Sequence, residues 1–109
     1  MLHIMEEAQA DIMLFGHTHK PYHRMLEYQR DDMAAYRHAI NIGSVGKPKD
    51  GDPRACYVLM EIDSSFSIYK PDSFQVVFRR VEYDVEKAAK AVEMSILPDI
   101  YAEALRNAR

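Results

Sequence analysis

Blocks of apolar and polar residues along the chain predict a mixed α/β domain. Residues 2–10, Leu-His-Ile-Met-Glu-Glu-Ala-Gln-Ala, make a short helix. Asp11 then opens Ile12-Met13-Leu14-Phe15, a continuous apolar run closed by Gly16. Such a run fits a strand buried on both faces, as at the centre of an α/β sheet. Residues 22–28 and 36–42 form two further strands around a polar connection holding Gln29, Arg30, Asp31 and Asp32, which predicts a hairpin with a long loop. Three of the four glycines, with Pro48 and Pro53, punctuate a loop over 43–53. Strands are expected at 55–62, about 66–70, and 74–83, with turns at Asp63-Ser64-Ser65 and Pro71-Asp72-Ser73. Asp84 caps a helix from Val85 onward, whose apolar face is Val85, Ala88, Ala89, Val92 and Ile96. Pro98 suits the first position of a second helix, packing through Tyr101, Leu105 and Ala108. Both stripes are expected to be core contacts with the sheet, and Lys87, Lys90 and Arg109 to be solvated.

Composition narrows the class. The 109 residues make one domain or part of one, with 48% hydrophobic and 28% charged residues, which excludes whole-chain disorder. The formal charge is −3, and protonating all five histidines takes it only to +2, so no bulk electrostatic binding to nucleic acid or acidic membrane is expected. Lys20, His23, Arg24 and Arg30, interleaved with Tyr22 and Tyr28, are the nearest approach to a nucleic-acid surface, and the acidic balance disfavours it. The single cysteine, Cys56, excludes an internal disulfide and lies in an apolar strand, as a buried thiol would. Glu6 and Glu7 rule out a signal peptide over the first residues, and no apolar run nears the ~18 residues of a membrane span. A cytoplasmic location is the expectation.

The sharpest chemical signal is Gly16-His17-Thr18-His19-Lys20-Pro21 at the end of the first strand. Pro21 disfavours helical conformation at Lys20, so both histidines are expected in an extended loop. There, residues two apart project to one side, and both imidazoles face one pocket. Neutral imidazole suits zinc, iron and similar ions. Gly16 permits close approach of metal or substrate. A lone His-x-His is a weak motif, as often a structural or surface pair, and two ligands leave a catalytic site open. No spacing recruits His3, His23 or His38, each of which is expected to be a surface or hydrogen-bonded histidine.

The run Asp11-Ile12-Met13-Leu14-Phe15-Gly16-His17-Thr18-His19-Lys20-Pro21 resembles the last metal-binding motif of the calcineurin-like metallophosphoesterases. The likeness continues through Asn41-Ile42-Gly43-Ser44-Val45-Gly46 to Pro53-Arg54-Ala55, similar to the loop that follows the motif in the small bacterial and archaeal phosphodiesterase branch. That branch commonly has proline where this chain has Ile42. The tail from Phe78 to Pro98 also resembles it. The resemblance implies part of a four-layer αββα sandwich, with two divalent metals (manganese, iron, zinc or nickel) at strand C-termini. It carries metal ligation onto His17 and His19, one for each ion. It also implies that the Asn41–Gly46 loop, with Asn41 and Ser44, helps to bind a phosphate-ester substrate. Turn chemistry is an equal alternative for those two residues.

The family's earlier motifs, an Asp-x-His, a Gly-Asp, a Gly-Asn-His and a further histidine, are missing from this sequence. Residues 1–109 therefore match one incomplete domain, the C-terminal portion of a metal-dependent phosphoesterase, with no catalytic acid or base of its own. Little activity is expected from the chain alone. An uncovered sheet face or edge should drive self-association or pairing with a complementary N-terminal half. Lys47, Lys49 and Arg54 are nearest to an anionic substrate, although solvation is their ordinary role. The rival expectation is a non-catalytic interaction module that keeps the fold's second half.

Overall fold

Short-range sequence signals translate into eight elements in the computed structural model, which describes all of residues 1–109. Helix α1 spans Leu2–Ala8. It stops where Gln9 turns left-handed, at φ 54°, and its N–H bonds back onto the last turn. Strand β1 (Ile12–Phe15) follows, then β2 (Tyr22–Arg30) and β3 (Met33–Asn41). They form one sheet in the order β1-β3-β2, with β1 parallel and β2 antiparallel to β3. The second sheet is the antiparallel pair of β4 (Ala55–Glu61) and β5 (Gln75–Val81). Helices α2 (Val85–Glu93) and α3 (Ile100–Asn107) close the chain. The fold is mixed α+β, as expected, and no helix is long and apolar enough to cross a membrane.

The core lies on β3, where Ala35, His38, Ala39, Ile40 and Asn41 are fully buried. Alternation along β3 sorts its two faces. Arg37 shares a face with Ala35 and Ala39 and anchors the end of α1, donating to the Ala10 carbonyl at 3.1 Å. Tyr36, His38 and Ile40 point the other way, toward the connection between β4 and β5. There the Tyr36 N–H bonds the Ile68 carbonyl at 2.7 Å and Phe74 packs edge-on to His38, ring centroids 4.6 Å apart.

Several sequence expectations need correction. Strand β1 has β3 on one side only, so it is an edge strand, and Leu14 is 50% exposed rather than buried. The β2–β3 connection is a two-residue turn, because Asp31 (φ 52°) and Asp32 (φ 60°) both adopt the left-handed conformation that tight hairpins demand. Residues 66–70 form turns instead of a strand. The Ser73 hydroxyl accepts from the Ser67 N–H at 2.9 Å and donates to the Lys70 carbonyl at 2.8 Å, which curls the segment. Asp84 does cap α2, accepting from the Lys87 N–H at 3.0 Å. The helix ends at Glu93, however, and Ile96 is left fully exposed beyond it. Pro98 precedes the Asp99 cap of α3 rather than opening the helix. The two helices pack on each other, with Arg106 reaching Glu86 at 2.8 Å and also pairing with Glu93 and Glu103. Tyr101 is 44% exposed.

Elongation sets the molecule apart. Its radius of gyration is 17.8 Å, against about 13 Å for a compact domain of this length. Its accessible area is 7355 Å², where a folded monomer of this mass exposes roughly 6,200 Å². An apolar pocket of about 330 Å³ opens between Leu14 of β1, the Ile42–Val45 loop, and Cys56, Tyr57, Val58 and Met60 of β4.

Candidate metal centre

The Gly16–Lys20 loop leaves the C-terminal end of β1, where the Ile42 N–H bonds the Phe15 carbonyl at 2.9 Å. It is not extended. His17 sits at φ 86° and His19 at φ 61°, both in the region that L-residues avoid. Histidine is among the few side chains that enter this region with any frequency, and such outliers concentrate at functional sites.

Buried Asn41 holds the loop. Its amide donates to Thr18 Oγ1 at 2.9 Å and, more weakly, to the Gly16 carbonyl at 3.5 Å. Its Oδ1 accepts from the Gly43 N–H at 2.9 Å. One side chain thus joins the end of β3, the histidine loop and the following turn. Gly43 needs its freedom, since φ is +74° and an added Cβ would meet the Cys56 Sγ at 3.0 Å and the Pro21 Cβ at 3.3 Å. Ser44 Oγ accepts from the Lys47 N–H at 2.9 Å.

The two sequence-identified histidines differ in setting. His17 is exposed. His19 is half-buried, and its Nδ1 lies 2.8 Å from the Lys47 carbonyl. A carbonyl only accepts, so Nδ1 carries the proton and the neutral ring has its lone pair on Nε2. Histidines that bind metals commonly have this arrangement, with the second nitrogen tied to a carbonyl. Two imidazole donors suit zinc or a similar ion. By themselves they would be only part of a ligand set, since no group of three or more His, Cys, Asp or Glu residues that could hold a metal ion is found in the chain.

A second histidine pair was not legible in the spacing. His23 Nε2 and His38 Nδ1 are 2.9 Å apart, one donating to the other. His38 is fully buried, and its Nε2 has no partner. Burial, and secondarily the neighbouring His23, push the His38 imidazole down to about 4. Burial also lowers His23. Cys56 is buried, and desolvation raises its thiol above the usual range, which fits an inert core cysteine.

No protein-family model matches the sequence. An uncharacterized protein of Methanocaldococcus jannaschii is 30% identical over 106 residues, covering 88% of this chain and 39% of that protein. A solved structure, the metallophosphoesterase from Sphaerobacter thermophilus, superposes with a TM-score of 0.65 at 28% identity, covering 91% of this chain and 42% of that one. The chain thus spans about two-fifths of the length of the relatives it matches. In fold, and along nine-tenths of its sequence, it is similar to part of a metallophosphoesterase.

Proposed function

We propose that this chain supplies two imidazole ligands, His17 and His19, to the two-metal centre of a phosphoesterase acting on phosphodiesters or phosphomonoesters. The observation that carries the reading is the strained histidine loop at the end of a strand, with the His19 Nε2 lone pair left free by the bond to Lys47. Similarity to a metallophosphoesterase over 91% of the chain supports it.

Divalent cations in such a centre supply an activated water and neutralise phosphate charge. The chain's own residues have narrower tasks. His17 and His19 present nitrogen donors. Asn41 keeps the loop carrying them against β3. Ser44 uses an oxygen lone pair on Lys47, which leaves its O–H to donate to a phosphate oxygen. The carboxylates and other ligands that complete the centre come from a complementary segment outside these 109 residues, and the C-terminal portion of a phosphoesterase domain is what this chain contributes. Alone it is expected to be nearly inactive.

Calorimetric titration with zinc and manganese tests the ligand assignment. Weak binding that disappears in the His17→Ala/His19→Ala variant is expected, with negligible hydrolysis of bis(4-nitrophenyl) phosphate. Binding that survives the double substitution would remove the two histidines from the site. The excess exposed surface favours a second reading, a non-catalytic interaction module. That reading predicts stable oligomers in sedimentation that ignore both metal and the double substitution.

A further inference from the structure

We propose that the 44–54 loop is a brace that fixes His19 in its Nδ1-protonated tautomer, and that Arg80 is the positioning residue holding the brace in shape. The role toward a metal rests on the function proposed above, but the brace itself does not.

The loop grips His19 twice. The Lys47 carbonyl accepts from the imidazole Nδ1 at 2.8 Å, and the Lys49 N–H donates to the His19 carbonyl at 3.0 Å. Both contacts need residues 47 and 49 in fixed positions, yet the segment is neither helix nor strand. Its shape comes partly from within, where Ser44 Oγ accepts from the Lys47 N–H at 2.9 Å and Asp52 pairs with Arg54, and partly from outside. At its start, the Cys56 N–H bonds the Ser44 carbonyl at 3.1 Å. At Gly51, where φ is +86°, the N–H bonds the Ala108 carbonyl at 3.0 Å beyond α3.

On either side of Gly51, Arg80 reaches in from β5. Its guanidinium pairs with the Asp50 carboxylate and donates to the carbonyls of Asp52 and Arg54, each at 3.3 Å. Its Nε lies 3.7 Å from the Asp52 carboxylate. The Arg80 side chain is only 15% exposed, so these are not frayed surface contacts. A planar fork reaching three residues of one loop is a task that lysine, a point charge, does not duplicate. Arg80 also pairs in register with Cys56, next to the Ser44 anchor, so β5 and the start of β4 hold the loop together.

The consequence is chemical. A neutral histidine in water carries its proton mostly on Nε2, which blocks that nitrogen as a donor. The Lys47 carbonyl reverses the preference before any ligand arrives. Without the brace, the form with a bare Nε2 falls to roughly a quarter of the molecules, and apparent affinity through that nitrogen drops about fourfold.

The test uses the full chain labelled with ¹⁵N-histidine, free of metal, at pH 8, in a long-range ¹H–¹⁵N correlation. The expected result is His19 protonated at Nδ1, with exposed His17 showing the Nε2-protonated pattern of free histidine. In Arg80→Lys, His19 should move toward the His17 pattern while the β2–β3 amide signals stay in place. Asp50→Asn, which leaves the guanidinium and its carbonyl contacts, should shift His19 the same way by less, and it serves should Arg80→Lys fail to fold. Wild-type His19 protonated at Nε2 would overturn the proposal, as would an unchanged tautomer in the folded variants. Adding zinc then separates the brace from the function it serves. Half-saturation of the His19 signals should need up to about fourfold more zinc in Arg80→Lys, in proportion to the tautomer shift. A His19 locked at Nδ1 but blind to zinc would keep the brace and sink the metal assignment.

Discussion

Replacing His17 with glycine should barely change stability, whereas the same change at His19 should be costly. Both residues occupy the left-handed region, at φ 86° and 61°. That region costs an L-residue about 1–2 kcal/mol, toward the lower end for histidine. Glycine removes this strain but returns about 0.5–1 kcal/mol through the greater freedom of its unfolded chain. His17 is exposed and its ring has no hydrogen bond to lose, so the two effects nearly cancel. His17→Gly should lie between no change and a gain of about 0.5 kcal/mol. His19→Gly receives the same relief but forfeits the Lys47 bond, about 1 kcal/mol, together with half-buried ring contacts. The two variants should differ by about 1.5 kcal/mol, on the order of 6–10 °C in Tm for a chain of this size. Urea melts followed by circular dichroism read the difference directly. Equal losses in both variants, or a loss above about 1 kcal/mol in His17→Gly, would refute the assignment of strain to the loop. A His17→Gly variant as stable as wild type but unable to bind zinc would show that the His17 imidazole serves the site and not the fold.

Stability should also fall as pH drops from 6.5 toward 4, because the unfolded chain binds a proton at His38 that the folded one refuses. The full effect is up to about 3 kcal/mol, present above pH 6.5 and gone below pH 4. His38→Phe should flatten the profile across that window, and an unchanged profile would contradict the burial argument. A separate loss is expected from about pH 4 down to 2, as Asp52, held at about 2 by its hydrogen bonds to Arg54, becomes protonated. Asn41→Ala should destabilise by about 2 kcal/mol, since it strips partners from Thr18 and Gly43 in a buried setting, and it should speed amide exchange across 16–19. Gly43→Ala should cost about 1–3 kcal/mol by urea melt, and Cys56→Ala should restore part of it by removing the 3.0 Å sulfur contact.

Local chemistry made much of the fold legible. The Asp84 cap and the strands β1, β2, β4 and β5 follow from alternation and turn residues that act over a few positions, whereas the direct β4–β5 pairing was hidden by the strand expected at 66–70. Features set by distant partners were not. Nothing near His17 announces a left-handed backbone, because the residue that grips the loop is Asn41, beyond a whole hairpin. The His23–His38 pair depends on register. The tight Asp31-Asp32 turn places Met25 opposite His38 and His23 opposite Ile40, so the two histidines become diagonal neighbours on one face. A connection longer by one residue would have put them on opposite faces. Expecting a long loop therefore concealed the pair. The apolar run in β1 was misleading in a more useful way, because it describes a strand with cover on both sides and these residues supply only one.

The free edge of β1 and the proposed histidine ligands lie at the same place. The free edge of β1 runs beside half-exposed Leu14, which with Ile42, Val45 and Tyr57 lines the open apolar pocket facing β4. The C-terminal end of that strand carries the histidine loop. Accessible area exceeds that of a compact monomer by roughly 1,100 Å², more than the ~800 Å² each partner buries in a standard interface. A segment adding a strand to β1 would satisfy its unpaired backbone groups and fill the pocket with apolar side chains. Its own strand end would then lie beside His17 and His19, where the proposed centre would need further ligands. If that proposal holds, closing the sheet and completing the metal centre would be one event. Metal affinity and stability should therefore rise together when a complementary segment binds, and neither should improve alone.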